Sequence, residues 1–228
     1  MNQLHENVSF STQTEMTTKP LVTLIPWDPH SPAHRRCLLD QRDECGWDQD
    51  KVEHIWKENQ IKGTKCIYWI ETELIDTAIS INGRARVGSN QKFNPIGHIS
   101  LDSQNPGVEK VGLDLPDEGI FWIKTFFIKR SSQSNGVGRV AMDEVESMAT
   151  REPLMATTLM LDVIPKEDAM KEDFAMANHG CLPKFSTEEW YLRRGYKPLR
   201  TVEDYYDVVD RSGRKWVVKT VFMKKDIL

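Results

Sequence analysis

Residues Phe126 to Met148 read Phe-Phe-Ile-Lys-Arg-Ser-Ser-Gln-Ser-Asn-Gly-Val-Gly-Arg-Val-Ala-Met-Asp-Glu-Val-Glu-Ser-Met. Ile120 to Ile128 is rich in aromatic and β-branched residues and predicts a strand, whereas Lys129 to Asn135 is polar and predicts a loop. Beyond Gly136 and Gly138, the apolar residues Val137, Val140, Ala141, Val145 and Met148 recur at helical spacing. The stretch is therefore strand, glycine loop, helix. A helix N-terminus carries unpaired backbone N–H groups and partial positive charge, and glycine lets an anion approach that backbone closely. Gln133 to Arg139 thus reads as an anion cradle, with the Arg139 side chain as a charged donor.

Three kinds of phosphate loop fit such a cradle. A Walker-type loop needs Gly-x-x-x-x-Gly-Lys-Ser/Thr, and no Lys-Ser or Lys-Thr follows either glycine. Gly136, Gly138 and Ala141 satisfy the Gly-x-Gly-x-x-Ala of a dinucleotide-binding turn, with Asp162 near the end of a following strand. Against that reading, Lys129 to Asn135 separates strand from glycine, and repeated βαβ units are missing. The third kind has the pattern Gln/Arg-x-x-Gly-x-Gly/Ala, which Gln133-Ser-Asn-Gly-Val-Gly138 matches.

That hexapeptide resembles the pyrophosphate loop of the GCN5-related N-acetyltransferases (GNAT). A second stretch, Thr187 to Tyr196 (Thr-Glu-Glu-Trp-Tyr-Leu-Arg-Arg-Gly-Tyr), resembles the Tyr-x-x-x-Gly-Phe/Tyr that ends the family's fourth helix, with Tyr191 in the tyrosine position. By itself this stretch predicts a helix capped by Ser186 or Thr187 and stopped by Gly195 and Pro198.

The rest of the chain is consistent with one domain. It has 228 residues, 39% hydrophobic and 28% charged, enough for a sizeable core, and a net charge of −4 that argues against a nucleic-acid binder. No apolar stretch is long enough to span a membrane. Residues 1–19 read as a flexible polar tail without the apolar core of a signal peptide. The four cysteines, Cys37, Cys45, Cys66 and Cys181, lack zinc-site or disulfide spacing, so reduced thiols, no bound metal and a cytoplasmic location are expected.

In order, the pattern predicts a strand at Leu21 to Trp27, helices at Pro32 to Cys45 and Asp48 to Glu58, and strands at Lys65 to Thr72 and Pro95 to Asp102. Ile81 to Asn94 reads as a solvated loop between the last two. After the central strand and its helix come a buried strand at Thr157 to Ile164 and an insertion loop at 166–185. The Tyr191 helix follows, then a hairpin of Leu199 to Asp210 and Lys215 to Lys224. A single domain over 20–228 results. Its element order is that of the family, whereas a doubly wound dehydrogenase would alternate strand and helix throughout.

The resemblance implies an α/β (α+β) GNAT fold: a mixed, mostly antiparallel sheet of about seven strands, about four flanking helices, and a splayed central strand pair. It implies acetyl-CoA as acyl donor, with Phe126, Phe127 and Ile128 offering backbone groups to the pantetheine arm. Gln133, Ser134, Asn135, Gly136, Val137, Gly138 and Arg139 would hold the pyrophosphate. Tyr191 would be the acid that meets the departing sulfur, and Asp162, Glu118 or Glu71 the base that receives the amine proton, Asp162 having the most buried context. His98 and His179 read as a core and a loop histidine. Where many members carry an Asn seven residues before the tyrosine, this chain has Lys184.

The expected acceptor is a small primary amine, with a protein or peptide amine (lysine or N-terminal) as the alternative. A closed pocket under the 45–50 turn, the 166–185 insertion and the final hairpin would favour the small molecule. Trp47, Trp69, Trp122 and Trp190 read as core aromatics. A module that binds acetyl-CoA without turnover is the further alternative, and a monomer or homodimer is expected.

Overall fold

A computed structural model describes residues 22–227, apart from the side chains of residues 71–74 and 93–94. The expected tail at 1–19 and the side chain of Glu71 lie outside the described residues.

The first half runs β1 (Leu24–Pro26), α1 (Pro32–Cys45), a π-helical turn (Val52–Trp56) continuing into α2 (Lys57–Lys62), β2 (Lys65–Ile75), a small hairpin of β3 (Ser80–Ile81) and β4 (Arg84–Ala85), and β5 (Lys92–Asp102). The second half runs β6 (Ile120–Ile128), α3 (Val137–Ala149), β7 (Thr158–Val163), α4 (Lys166–Ala169), α5 (Glu172–His179) and α6 (Thr187–Arg193). It ends with β8 (Lys197–Glu203), β9 (Val208–Val209), β10 (Lys215–Trp216) and β11 (Lys219–Asp226).

Seven strands form one sheet in the order β1-β2-β5-β6-β7-β11-β8. Every neighbouring pair is antiparallel except β6 and β7. One face packs Ile123, Leu159, Leu161, Val221 and Met223 under α3 and α6, which contribute Val137, Ala141, Val145 and Tyr191. On the other face, Ile67 and Trp69 pack with Trp27, Leu38, Val52 and Trp56 from the α1–α2 layer. Farther along it, Trp122, Met160 and Phe222 form a separate cluster with Val111. The sheet is thus covered on both sides, and its central parallel pair lies between the two layers.

Caps explain where the key helices begin. Ser31 accepts the His34 N–H at the start of α1 and Pro32 follows it, while Gly46 ends the helix at φ +86°. At α6, Ser186 and Glu189 form a reciprocal capping box. By contrast α3 starts from Gly136 at φ +76° with no side-chain cap.

Three expectations change. The 166–185 stretch is not a loop: it holds α4 and α5, whose buried residues are only Asp168, Phe174 and Ala175. Among the described residues there are six α-helices rather than about four. The terminal strands β8 and β11 do pair, but a positive φ at Asp204 turns the chain out of the sheet, and β9 and β10 pair separately.

Candidate active site

The parallel pair opens into a fork. Pairing of β6 with β7 covers only Ile120 with Thr158, Phe121 with Leu159 and Trp122 with Met160, after which β6 runs on to Ile128 and β7 to Val163. The cause lies in β6. Between His98, opposite Phe127, and Ser100, opposite Lys124, β6 carries an extra residue, and Thr125 there has φ +50°. Such a bulge bends a strand away from its partner. Backbone groups of β6 beyond Trp122 are left facing a gap, where an extended ligand arm could pair with them.

Directly past the open end of β6 lies the cradle. Its start is fixed by Lys129 N–H donating to the Ile96 carbonyl (2.8 Å) and Arg130 N–H donating to Glu44 Oε1 (2.8 Å). Ser134 and Gly136 then turn through positive φ into α3. Among the described residues the N–H groups of Val137, Gly138 and Arg139 have no acceptor. A Cβ on Gly136 would meet nothing within 4 Å, and one on Gly138 would lie 3.6 Å from Phe126 Cζ. The space above these amides is therefore open, with the positive end of the helix beneath it.

The expected cradle residues divide by what their side chains do. Gln133 is exposed but ties back to the strand, its Nε2 donating to the Ile128 carbonyl (2.9 Å), so it braces the loop. The Ser134, Asn135 and Arg139 side chains are exposed. Phe126 stands against Trp190 (5.9 Å between ring centres) on the α3–α6 side, while Phe127 stands against His98 (5.6 Å) on the other.

Tyr191 is only 5% exposed and packs edge-on against Trp190 (4.9 Å) and Tyr196 (5.4 Å). Burial raises its phenol well above the usual value near 10, and the nearby Asp162 charge adds to the rise. Its hydroxyl has no hydrogen-bond partner among the described residues.

On the opposite face of the fork, Lys124 from β6 reaches Asp162 from β7, Nζ lying 2.6 Å from Oδ1 and 2.9 Å from Oδ2. Nζ also donates to the Tyr206 hydroxyl (2.9 Å), and Tyr206 in turn donates to Asp162. Burial and the Asp162 charge push the Tyr206 phenol strongly upward. Both Asp162 oxygens thus accept hydrogen bonds from Lys124 or Tyr206.

The other proton-carrying candidates fall away from this centre. Glu118 precedes β6 at the end remote from the cradle, about 30 Å from Ile128 along the strand. His98 is fully buried between Gln41 and Arg42. His179 ends α5, its pKa lowered by burial and by Arg130. Lys184 is exposed. Sequence reasoning missed Lys124 and Tyr206. The one available signal was a charged residue, Lys124, in the largely apolar run Ile120–Ile128.

Just past the end of β7, at Ile164, three segments pack against one another. Phe174 from α5, Val208 and Val218 form a cluster joined by Trp47, Ile164 and Trp216. Arg42 Nε donates to the Trp47 carbonyl (2.8 Å), Lys219 N–H to Asp168 (2.8 Å), and Arg211 to the Asp43 carbonyl (2.6 Å). The 45–50 turn, the α4–α5 segment and the terminal hairpin are thereby packed together.

The same architecture recurs in solved structures. An aminoglycoside 6'-N-acetyltransferase complexed with coenzyme A aligns with a TM-score of 0.51 at 15% identity, over 90% of this chain and 97% of that one. NAA60 of Arabidopsis thaliana in complex with acetyl-CoA aligns at 0.52 and 12%, over 91% and 99%. The spermidine/spermine N-acetyltransferase SpeG of Vibrio cholerae aligns at 0.53 and 11%, over 90% and 92%. This chain has the GNAT fold. No protein-family model and no curated protein sequence matches it. The dinucleotide-turn alternative falls, because a GNAT sheet with one parallel pair replaces the repeated βαβ winding. No described helix is long and apolar enough to cross a membrane.

Proposed function

We propose that the chain is an N-acetyltransferase that moves an acetyl group from acetyl-CoA directly to the primary amine of a small molecule. The observation that carries the reading is the open fork leading straight to a helix N-terminus with no side-chain cap and three amides that no described residue bonds. An elongated ligand with an anionic middle fits that geometry. GNAT proteins with coenzyme A or acetyl-CoA bound share the fold.

The Val137, Gly138 and Arg139 amides would hold the pyrophosphate, aided by the Arg139 guanidinium, with exposed Ser134 and Asn135 at the rim. Phe126, Phe127 and Ile128 would offer β6 backbone groups to the pantetheine arm. Bound acetyl-CoA would supply the acyl group as a thioester. Tyr191, kept protonated by burial, would give a proton to the departing sulfur. The acceptor amine, with a solution pKa of about 10, must lose a proton before it attacks. Asp162 is committed to Lys124 and Tyr206, so that proton would leave through water.

The mutual packing of the 45–50 turn, the α4–α5 segment and the terminal hairpin supports a small acceptor. In this reading the three segments would close the acceptor side, where a long peptide needs an open groove. Two fold neighbours are named for small-amine acceptors, an aminoglycoside and spermidine/spermine. Isothermal titration with acetyl-CoA, beside NADH and NADPH, tests the cofactor half. Acetyl-CoA alone should bind, and Gly136→Asp, which sets an anion in the cradle, should weaken it at least tenfold. Binding of only a nicotinamide nucleotide would overturn the proposal. Thiol release over a panel of polyamines, amino sugars and lysine peptides tests the acceptor half. Turnover of peptides alone would exclude the small-molecule reading, and turnover of nothing would favour a binding module.

A further inference from the structure

We propose that Lys124 supplies a fixed positive charge to the acyl carbonyl oxygen at the transfer centre, with Asp162 as its positioning residue. The inference rests on the acetyltransferase reading above. Lys124 lies two residues past Trp122, and Asp162 two residues past Met160, the last β6–β7 pair. Their ion pair therefore spans the root of the fork. From Ile128, beside the cradle, to Lys124 is about 13 Å of strand. An arm anchored on the α3 amides and lying along β6 thus ends at this ammonium.

Stability does not account for the pair. The Lys124 side chain is 20% exposed and that of Asp162 6%, and buried ion pairs of this kind are often matched or bettered by apolar residues of similar volume. A lysine in a core strand needs another reason. The three N–H bonds of an ammonium are all used here: two go to the Asp162 oxygens and the third to the Tyr206 hydroxyl. Tyr206 belongs to the segment between β8 and β9 and is 39% exposed, so it is the replaceable partner of the three. It also keeps a bond to Asp162 when Lys124 is released. An entering carbonyl oxygen would take its place on Lys124.

The charge is useful for a definite reason. When the amine lone pair forms the N–C bond, the carbonyl π pair moves onto oxygen, facing Lys124. It returns as the C–S bond breaks, sulfur taking the bonding pair and a proton from Tyr191, while the amine proton passes to water, which also restores the phenol. A preorganised cation at such an oxygen is worth about 10²- to 10³-fold in rate, by analogy with one oxyanion-hole donor.

The test combines kinetics with infrared spectroscopy of acetyl-CoA labelled with carbon-13 at the carbonyl. In the wild type the bound carbonyl stretch should fall below that of free acetyl-CoA. Lys124→Met should abolish this shift and lower kcat about 10²-fold, with the acetyl-CoA Kd within threefold. Lys124→Arg should keep part of both, and Tyr206→Phe should keep the shift and lose less than tenfold in kcat. If Lys124→Met does not fold, the Lys124→Met/Asp162→Asn pair removes the orphaned carboxylate and reads the same effect. An unchanged stretch and rate in a folded variant would overturn the proposal. Intact-mass detection of an acetyl group on Lys124 would also overturn it, because the residue would then be an acceptor. Failure of the wild type to bind acetyl-CoA would instead sink the acetyltransferase reading.

Discussion

At the scale of single residues, Tyr191 combines a burial that keeps it protonated with a hydroxyl that no described residue bonds. Desolvation disfavours the phenolate, so the proton stays in place throughout the range in which an amine is acetylated. Its ring contacts with Trp190 and Tyr196 are independent of the hydroxyl. Tyr191→Phe should therefore leave the thermal midpoint within about 2 °C and the acetyl-CoA Kd within twofold, but lower kcat by about 10²-fold, the size of a lost general acid. Steady-state kinetics beside calorimetric titration decide this. An unchanged kcat would remove Tyr191 from the chemistry, and a lost affinity would make it a binding residue.

At the scale of elements, two glycines that border the fork should respond differently to the same added methyl group. A Cβ on Gly97 of β5 would run into the Phe127 carbonyl and lie 3.1 Å from Ile128 Cα, so β5 and β6 would have to separate. A Cβ on Gly138 of α3 makes only ordinary contacts, the nearest at 3.6 Å. Gly97→Ala should cost about 1–3 kcal/mol in urea unfolding, whereas Gly138→Ala should leave stability within about 0.5 kcal/mol while weakening acetyl-CoA binding. Equal stability losses would show that the two strands are not held as closely as Gly97 implies. The elements legible in the sequence were those with a strong local signature. Ile120–Ile128 is rich in aromatic and β-branched residues, α3 repeats its buried residues at helical spacing, and α6 carries Ser186 and Glu189 as a capping box. The α4–α5 segment buries too few residues to show a period, so it read as a loop. The cradle was legible because it is local. Lys124, Asp162 and Tyr206 are brought together only by the strand order, across 38 and 82 residues of chain from the lysine, and no spacing rule joins them.

At the scale of the whole molecule, two neutral histidines make folding sensitive to mild acid. His34 Nδ1 accepts hydrogen bonds from the Asp28 N–H (3.0 Å) and the Trp69 indole (3.1 Å), so its proton is on Nε2, which donates to the Ile75 carbonyl (2.8 Å). His98 donates from Nδ1 to Gln41 Oε1 (2.7 Å) and presents Nε2 to the Arg42 guanidinium (3.5 Å). A second proton on either ring has to displace a donor, or meet a cation, at a buried site. Both pKa values are accordingly lowered from 6.5, that of His34 chiefly by burial and that of His98 by burial with Arg42 and Lys65. Below pH 6.5 the unfolded chain binds protons that the folded chain does not, so stability is complete above that pH and declines as pH falls. Each histidine contributes a slope of at most about 1.4 kcal/mol per pH unit, so together they should remove at most about 3 kcal/mol between pH 6.5 and 5. Asp76 acts in a separate window. Its bond to Arg86 holds its carboxyl far below the usual range, so its contribution fades only below about pH 4. Urea unfolding at pH 7.5, 6.5, 5.5 and 5.0 measures the loss. His98→Gln, which has no group to titrate in this range, should roughly halve the slope even if it lowers stability at pH 7.5. A wild-type free energy that stays level from pH 7 to 5 would mean that the two rings accept protons in place, contrary to the bonds that now occupy all four of their nitrogens.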